Sequence, residues 1–268
     1  MHPETGRREG GLGQGGGGPG GPEHNSSVSP PVEWTLVVPL KPLSAAKSRL
    51  AEAVGPVRPG LALAFAQDTV AAALACEVVR NVTVVTDDPL AGSVLAALGA
   101  RVEADSPAAG LNAALRHGAE AVLRRHPAAA VAALNADLPA LRPAELAAVL
   151  RAAARRPGRS FLADAAGIGT TLLAATAGTA LAPAFGGPSR ARHRASGAHE
   201  IVLPDVDSVR RDVDTGEDLA AALLLGVGPH TRVLLRPALR AAPRDGATGP
   251  GPAGCPAAGA PAPGGGAR

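Results

Sequence analysis

Three aspartates and two lysines are the residues of this chain best suited to chemistry. Asp137 follows an apolar run, residues 128–134, and precedes Leu138-Pro139. Asp212 and Asp214 lie two apart in a segment that reads as extended, so both side chains project to one face. Carboxylates sharing a face repel unless a cation sits between them. Together the three offer hard oxygen ligands of the kind that suit Mg2+ or Mn2+, ions usually held by one or two carboxylates plus substrate phosphates. Taken singly each has an ordinary alternative: a turn-former at Asp137, a solvated strand edge at Asp212, a helix cap at Asp214.

The lysines are unusual by their scarcity. Of the 26 Lys and Arg residues only Lys41 and Lys47 are lysine, and Arg49 follows two positions later. A chain this biased toward Arg that keeps both lysines in one short stretch suggests a site needing a compact ammonium on a flexible stem. The stretch WTLVVPLKPLSAAKSRL, residues 34–50, reads as a buried strand running into a cationic loop. A loop at the carboxyl end of a strand is where an open α/β sheet binds an anionic ligand. Acids that hold a metal beside such a loop are equipment for moving a phosphate-containing group.

Elements must bring these residues together. Of the 268 residues, the first 32 and those from 241 onward are rich in Gly, Pro, Ser and Ala, and are expected to form disordered tails. Residues 33–240 form one continuous patterned domain without internal repeats. Apolar residues are 46% of the chain but aromatics only 1%, so the core must be built from Ala, Val and Leu. Helical spacing runs over 60–76, and a β-branched strand over 81–86 ends in Asp87-Asp88-Pro89, which opens a short helix closed near Gly99. A third short strand is expected over 101–104 and a helix from Gly110 to about Arg125. Pro143-Ala144-Glu145 is a good helix start. This alternation argues for a mostly parallel sheet with helices on both faces. From Ser160 the rhythm changes to two short apolar runs around Gly167-Ile168-Gly169, as in a hairpin or inserted strand pair. A further strand is expected over 200–203, then an extended segment from about Val209, and a helix from Thr215 to Leu225 with Gly226 behind it.

Composition narrows the function. The charge of +3 comes from scattered Arg, with no aromatic platform for stacking bases, so nucleic acid is not an expected partner. No apolar run approaches the length of a membrane span and no secretory h-region is visible, so no membrane association is expected. Cys76 and Cys255 lie far apart, which is neither a disulfide framework nor a zinc pattern and fits a reducing, cytoplasmic setting. Gly186-Gly187-Pro188-Ser189, ahead of Arg190, Arg192 and Arg194, reads as a candidate anion site. Gly110-Leu111-Asn112 is a weaker candidate for backbone approach to a base or ribose. His193 shows no partner and reads as an exposed or structural histidine. There is no Walker A pattern, no GxGxxG after the first strand, and no nucleophile elbow.

Seven motifs in order carry a family resemblance: VVPLKPLSAAKSRLA (37–51), VTVVTDD (82–88), GLNAAL (110–115), NADLPAL (135–141), GIGTTLL (167–173), FGGPSRARHRASGA (185–198) and RRDVDTGEDL (210–219). With them the chain resembles the phosphoenolpyruvate and 2-phospho-L-lactate guanylyltransferases of coenzyme F420 biosynthesis. The resemblance implies an α/β, three-layer nucleotidyltransferase fold of glycosyltransferase-A-like type, with a mostly parallel central sheet. It implies GTP and a phosphorylated three-carbon acid as small-molecule substrates, with pyrophosphate as leaving group. Carried over by motif, Thr171, Gly186 and Ser189 would hold phosphoenolpyruvate, with Thr171 preferred over Thr170 by its spacing to Gly186. Asp137, Asp212 and Asp214 would hold Mg2+ or Mn2+. Lys41, Lys47 and Arg49 would face the triphosphate. Phosphoenolpyruvate is favoured over 2-phospholactate and 3-phosphoglycerate only because the composition suggests a GC-rich bacterium. Transfer to a molybdopterin or sugar phosphate is a neighbouring alternative, and a non-catalytic nucleotide-binding protein is an alternative of another class. A homo-oligomer is compatible with the sequence, which does not decide it.

Overall fold

A computed structural model describes residues 32–44, 50, 55–106 and 108–241. Nearly all of both expected tails, and with them Lys47 and Arg49, lie outside the described residues. The strands are β1 (Trp34–Pro39), β2 (Val79–Val85), β3 (Arg101–Glu103), β4 (Ala130–Leu134), β5 (Arg159–Ala163), β6 (Thr170–Ala175) and β7 (His199–Glu200). The helices are α1 (Arg58–Leu74), α2 (Pro89–Ala97), α3 (Leu111–Arg125), α4 (Pro143–Ala154), α5 (Ser189–Ala195), α6 (Asp207–Arg210), α7 (Gly216–Leu225) and α8 (Pro229–Ala241).

The seven strands form one sheet in the order β3-β2-β1-β4-β6-β5-β7. β1 pairs in parallel with β2 and β4, and β2 with β3. β6 is antiparallel to both β4 and β5, so the expected inserted strand pair is a hairpin within the sheet. Alternation along β1 sends Leu36 and Val38 to one face and Val37 to the other. The first face packs on α2 and α4 through Leu95, Leu146 and Leu150; the second packs on α3 through Leu115 and Val122. Both faces are therefore covered, which is why β1 and β4 read as unbroken apolar runs.

Several helix ends are set by local chemistry that the sequence shows. Asp88 caps α2 by accepting the Ala91 N–H at 3.0 Å. Thr215 and Asp218 form a reciprocal capping box at the start of α7. The start of α8 is capped from a distance. Buried Asp68 on α1 accepts the N–H groups of His230 at 3.0 Å and Thr231 at 2.9 Å. Two expectations need correction. The strand over 200–203 is reduced to His199–Glu200, and the segment from Val209 is not extended at its start, because Val209 and Arg210 belong to the helical turn α6. In that turn the Ser208 N–H is held by Glu145 Oε2 at 2.9 Å, a contact that local pattern cannot reveal. No single described helix is long and apolar enough to cross a membrane; α7 and α8 would do so only jointly, and they are bent by 117°.

Candidate active site

A cavity of about 580 Å3 opens at the carboxyl ends of β1 and β4. β1 is followed by β2 on one side of it and flanked by β4 on the other, so the strand order reverses here. Such a switch point leaves a crevice between loops that diverge to opposite faces of the sheet. Its walls come from the end of β1 and the loop after it (Pro39, Leu40, Lys41), the loop after β4 (Asn135, Ala136, Asp137), the β5–β6 turn, the Phe185–Ser189 loop, and Asp212 and Asp214.

The acidic wall is assembled by main-chain ties. The Val213 N–H donates to the carbonyl of Asp137 at 3.1 Å, so the 212–214 segment is bonded to the loop that carries Asp137. Asn135 Nδ2 lies 3.5 Å from Asp212 Oδ2. Thr69 of α1, wholly buried, accepts the Leu138 N–H at 3.0 Å and turns its own proton to the carbonyls of Phe65 and Ala136. One hydroxyl thus holds the backbone on both sides of Asp137. The three aspartates share the cavity and offer the hard oxygens that a divalent cation takes. Among the described residues, however, no three His, Cys, Asp or Glu side chains are drawn together into a metal-ligand set.

On the cationic side Lys41 lines the cavity and is exposed. Its loop is anchored by Asp88, whose Oδ2 accepts the Leu43 N–H at 2.9 Å. Those backbone donors, from Ala91 and Leu43, hold the Asp88 carboxyl below its ordinary range. The same aspartate therefore caps α2 and fixes the start of the lysine loop.

The third wall carries the Gly-rich loop. Gly186 and Ser189 line the cavity, and Gly186 has φ of 93°, a conformation that side chains disfavour. The Asn112 carboxamide spans the Phe185 backbone, donating to its carbonyl at 3.0 Å and accepting its N–H at 2.8 Å. Gly110 caps α3 with φ of 92°. Between them, Leu111 is the member of that tripeptide that lines the cavity. The three arginines of the basic segment serve the fold. Arg190 and Arg194 pair with Glu200, and Arg192 donates to the carbonyls of Ala184, Phe185 and Gly186. Of the segment read as an anion site, Gly186, Gly187 and Ser189 line the cavity and the three arginines do not.

Thr170, not Thr171, lines the cavity. A register shift opposite Leu162 and Ala163 leaves Thr171 as the extra residue of β6. Thr171 is wholly buried, and its Oγ1 meets no hydrogen-bond partner among the described residues. A bulge breaks strand alternation, so spacing alone could not separate the two threonines.

Of the two expectations for His193, exposed or structural, the structure bears out the second and supplies the partners that the sequence does not show. His193 is fully buried between Phe161 and Phe185, with ring centroids at 5.7 and 5.1 Å, and both ring nitrogens are bonded. Its partners, Thr170 and the Ala184 N–H, are remote or irregular in sequence and leave no motif. Asp164 was also missed. It lines the cavity and accepts the N–H groups of Ile168 at 2.9 Å and Gly169 at 2.8 Å, which shapes the β5–β6 turn.

Burial pushes the His193 pKa down to about 4 from an ordinary 6.5, and neighbouring Arg192 and Arg159 add to the shift. The folded state thus binds the proton less readily than the unfolded chain. The stabilisation is complete above about pH 6.5 and is lost as pH falls toward 4, worth up to about 3 kcal/mol. Urea unfolding between pH 7 and 4.5 should show this loss before the carboxylates titrate. A flat profile from pH 7 to 5 would mean that the ring is not held neutral.

The architecture sets the class first. A solved structure from Desulfovibrio desulfuricans G20, assigned as a nucleotide-diphospho-sugar transferase, matches with TM-score 0.58 at 18% identity, covering 78% of this chain and 96% of that one. The two chains share this fold. Residues 34–245 match the family model described as "Guanylyl transferase CofC like", and the chain belongs to that family. Phosphoenolpyruvate guanylyltransferases from Streptomyces avermitilis and Streptomyces coelicolor are 69% and 68% identical over 201 residues, 75% of this chain and 93% and 94% of theirs.

Proposed function

We propose that this chain is a phosphoenolpyruvate guanylyltransferase acting in coenzyme F420 biosynthesis. It would join GTP and phosphoenolpyruvate to give enolpyruvoyl-2-diphospho-5'-guanosine and pyrophosphate. The observation that carries the proposal is the cavity at the strand reversal, lined together by Lys41, the Asp137 loop bonded to Val213, and the Gly186–Ser189 loop. The family membership and the activity for which its relatives are named supply the substrates.

In this reading a phosphate oxygen of the acceptor attacks the α-phosphorus of GTP, and the bond to the departing pyrophosphate breaks. The acceptor phosphate is already ionised, so no side chain need serve as nucleophile or strong base. The work of the protein is to align the reactants and offset their charge. Lys41, with Lys47 and Arg49, would lie along the triphosphate. Gly186 and Ser189 would hold the acceptor, and Gly110 and Asn112 would shape the nucleoside side. Asp137, Asp212 and Asp214 would hold Mg2+ or Mn2+. A divalent ion bound there would neutralise phosphate-oxygen charge.

Pyrophosphate release from GTP, measured in parallel with phosphoenolpyruvate, 2-phospho-L-lactate and 3-phosphoglycerate, tests the reading. Release with phosphoenolpyruvate at the highest kcat/KM is expected. Preference for another acid would move the acceptor assignment, and GTP binding without release would leave a nucleotide-binding protein.

A further inference from the structure

His193 is a buried titratable group to which the proposed transfer assigns no task. Its hydrogen bonds define its tautomer. The Ala184 N–H can only donate, so Nε2, at 3.0 Å, must accept with its lone pair. A ring with a bare Nε2 carries its proton on Nδ1. Nδ1 lies 3.0 Å from Thr170 Oγ1, so Nδ1–H donates and the threonine oxygen accepts. The depressed basicity of the ring agrees with a neutral imidazole at physiological pH. The consequence falls on Thr170. Its oxygen is committed to His193, and its own proton has no acceptor among the described residues. Thr170 is 4% exposed and lines the cavity. A buried hydroxyl so placed is a donor awaiting an acceptor.

We propose that Thr170 donates a hydrogen bond to an anionic oxygen of the acceptor acid, and that His193 is the positioning residue that keeps the threonine proton turned into the cavity. This rests on the guanylyl-transfer reading above. The ligand is identified by its chemistry: a carboxylate or phosphate oxygen of a small phosphorylated acid, which can accept but not donate. His193 joins this donor to the glycine loop, since its other nitrogen holds Ala184, one residue before the Phe185 backbone that Asn112 grips.

The test compares wild type with Thr170→Val, Thr170→Ser, His193→Gln and the double variant Thr170→Val/His193→Gln, with folding checked by urea unfolding. A charge-assisted hydrogen bond implies that Thr170→Val raises the acceptor KM roughly ten- to hundredfold, leaving the GTP KM and the kcat at saturating acceptor near wild type. Thr170→Ser should restore most of the loss. His193→Gln should reproduce the Thr170→Val effect, and the double variant should be no worse than either single one. Vinyl phosphate, which lacks the carboxylate, tells the two oxygens apart. A penalty that vanishes with it assigns the carboxylate, and one that persists assigns the phosphate. An unchanged acceptor KM in Thr170→Val, or an equal rise in the GTP KM, overturns the inference while leaving guanylyl transfer standing. Absence of pyrophosphate release by wild type with every acid refutes the transfer reading instead. Nitrogen-15 spectra of the wild-type imidazole stand apart from both: a proton on Nδ1 supports the arrangement, and one on Nε2 overturns it whatever the activity.

Discussion

Asp137→Ala is expected to lower turnover by on the order of a thousandfold while leaving the fold in place, the scale of removing a preorganised charge from a transfer site. The contacts that build the loop belong to its main chain. The Asp137 carbonyl receives Val213, the Leu138 N–H meets Thr69, and the Asn135 N–H meets the Thr171 carbonyl at 3.0 Å. None of them needs the carboxylate, so truncation leaves all three. The carboxylate shares its wall with Asp212 and Asp214, so the expected loss is one of turnover, and urea unfolding reports any accompanying change in stability. Asp137→Asn separates charge from shape, because the amide fills the same space without the negative charge. Turnover is read by pyrophosphate release across a Mg2+ titration, and the fold by circular dichroism and urea unfolding. Wild-type rates in the Asn variant at every Mg2+ concentration would remove Asp137 from the chemistry.

A large effect on stability is expected at Gly118, in the middle of α3. A Cβ built there would stand 2.6 Å from Val37 Cγ1 and 2.6 Å from Val85 Cγ2. Both valines are buried to within 1% and belong to the paired central strands β1 and β2, so neither can withdraw without moving the sheet. Helix propensity favours Ala over Gly by about 1 kcal/mol, yet overpacking at this contact opposes it with a larger cost. Gly118→Ala should therefore lose about 2 kcal/mol, and Gly118→Val more, in urea unfolding. Turnover should fall as well. A displaced α3 carries Asn112 away from the Phe185 backbone and loosens the glycine loop. An alanine variant as stable as wild type would show that the helix can stand off from the sheet at no cost.

Much of the fold follows from local pattern. The Val-rich runs, the Asp88-Pro89 and Thr215-Gly216 helix starts, and the break in rhythm at Ser160 are short-range signals, and each element appears where these place it. The acidic and Gly-rich segments were legible as seven ordered motifs, and the structure brings Lys41, Asp137, Gly186, Ser189, Asp212 and Asp214 to one cavity. The misreadings share a cause. The basic segment looked like an anion site because a guanidinium in sequence carries no sign of its partner, which here is Glu200 or a loop carbonyl. His193 looked idle for the same reason. Thr170 and Thr171 are adjacent and chemically alike, and only a bulge in the pairing with β5 decides which one lines the cavity.

By itself, then, the order of residues determined the alternation of strands and helices, the family, and which acids, lysines and glycines were candidates for chemistry. These are properties of neighbours along the chain: periodicity, caps and motif spacing. Only the tertiary structure decided which side chains share a cavity, which arginines are spent on the scaffold, and which tautomer His193 holds. Those depend on contacts between segments tens of residues apart, such as Thr69 with Leu138 or Val213 with Asp137, and a hydrogen bond of that reach leaves no trace in local sequence.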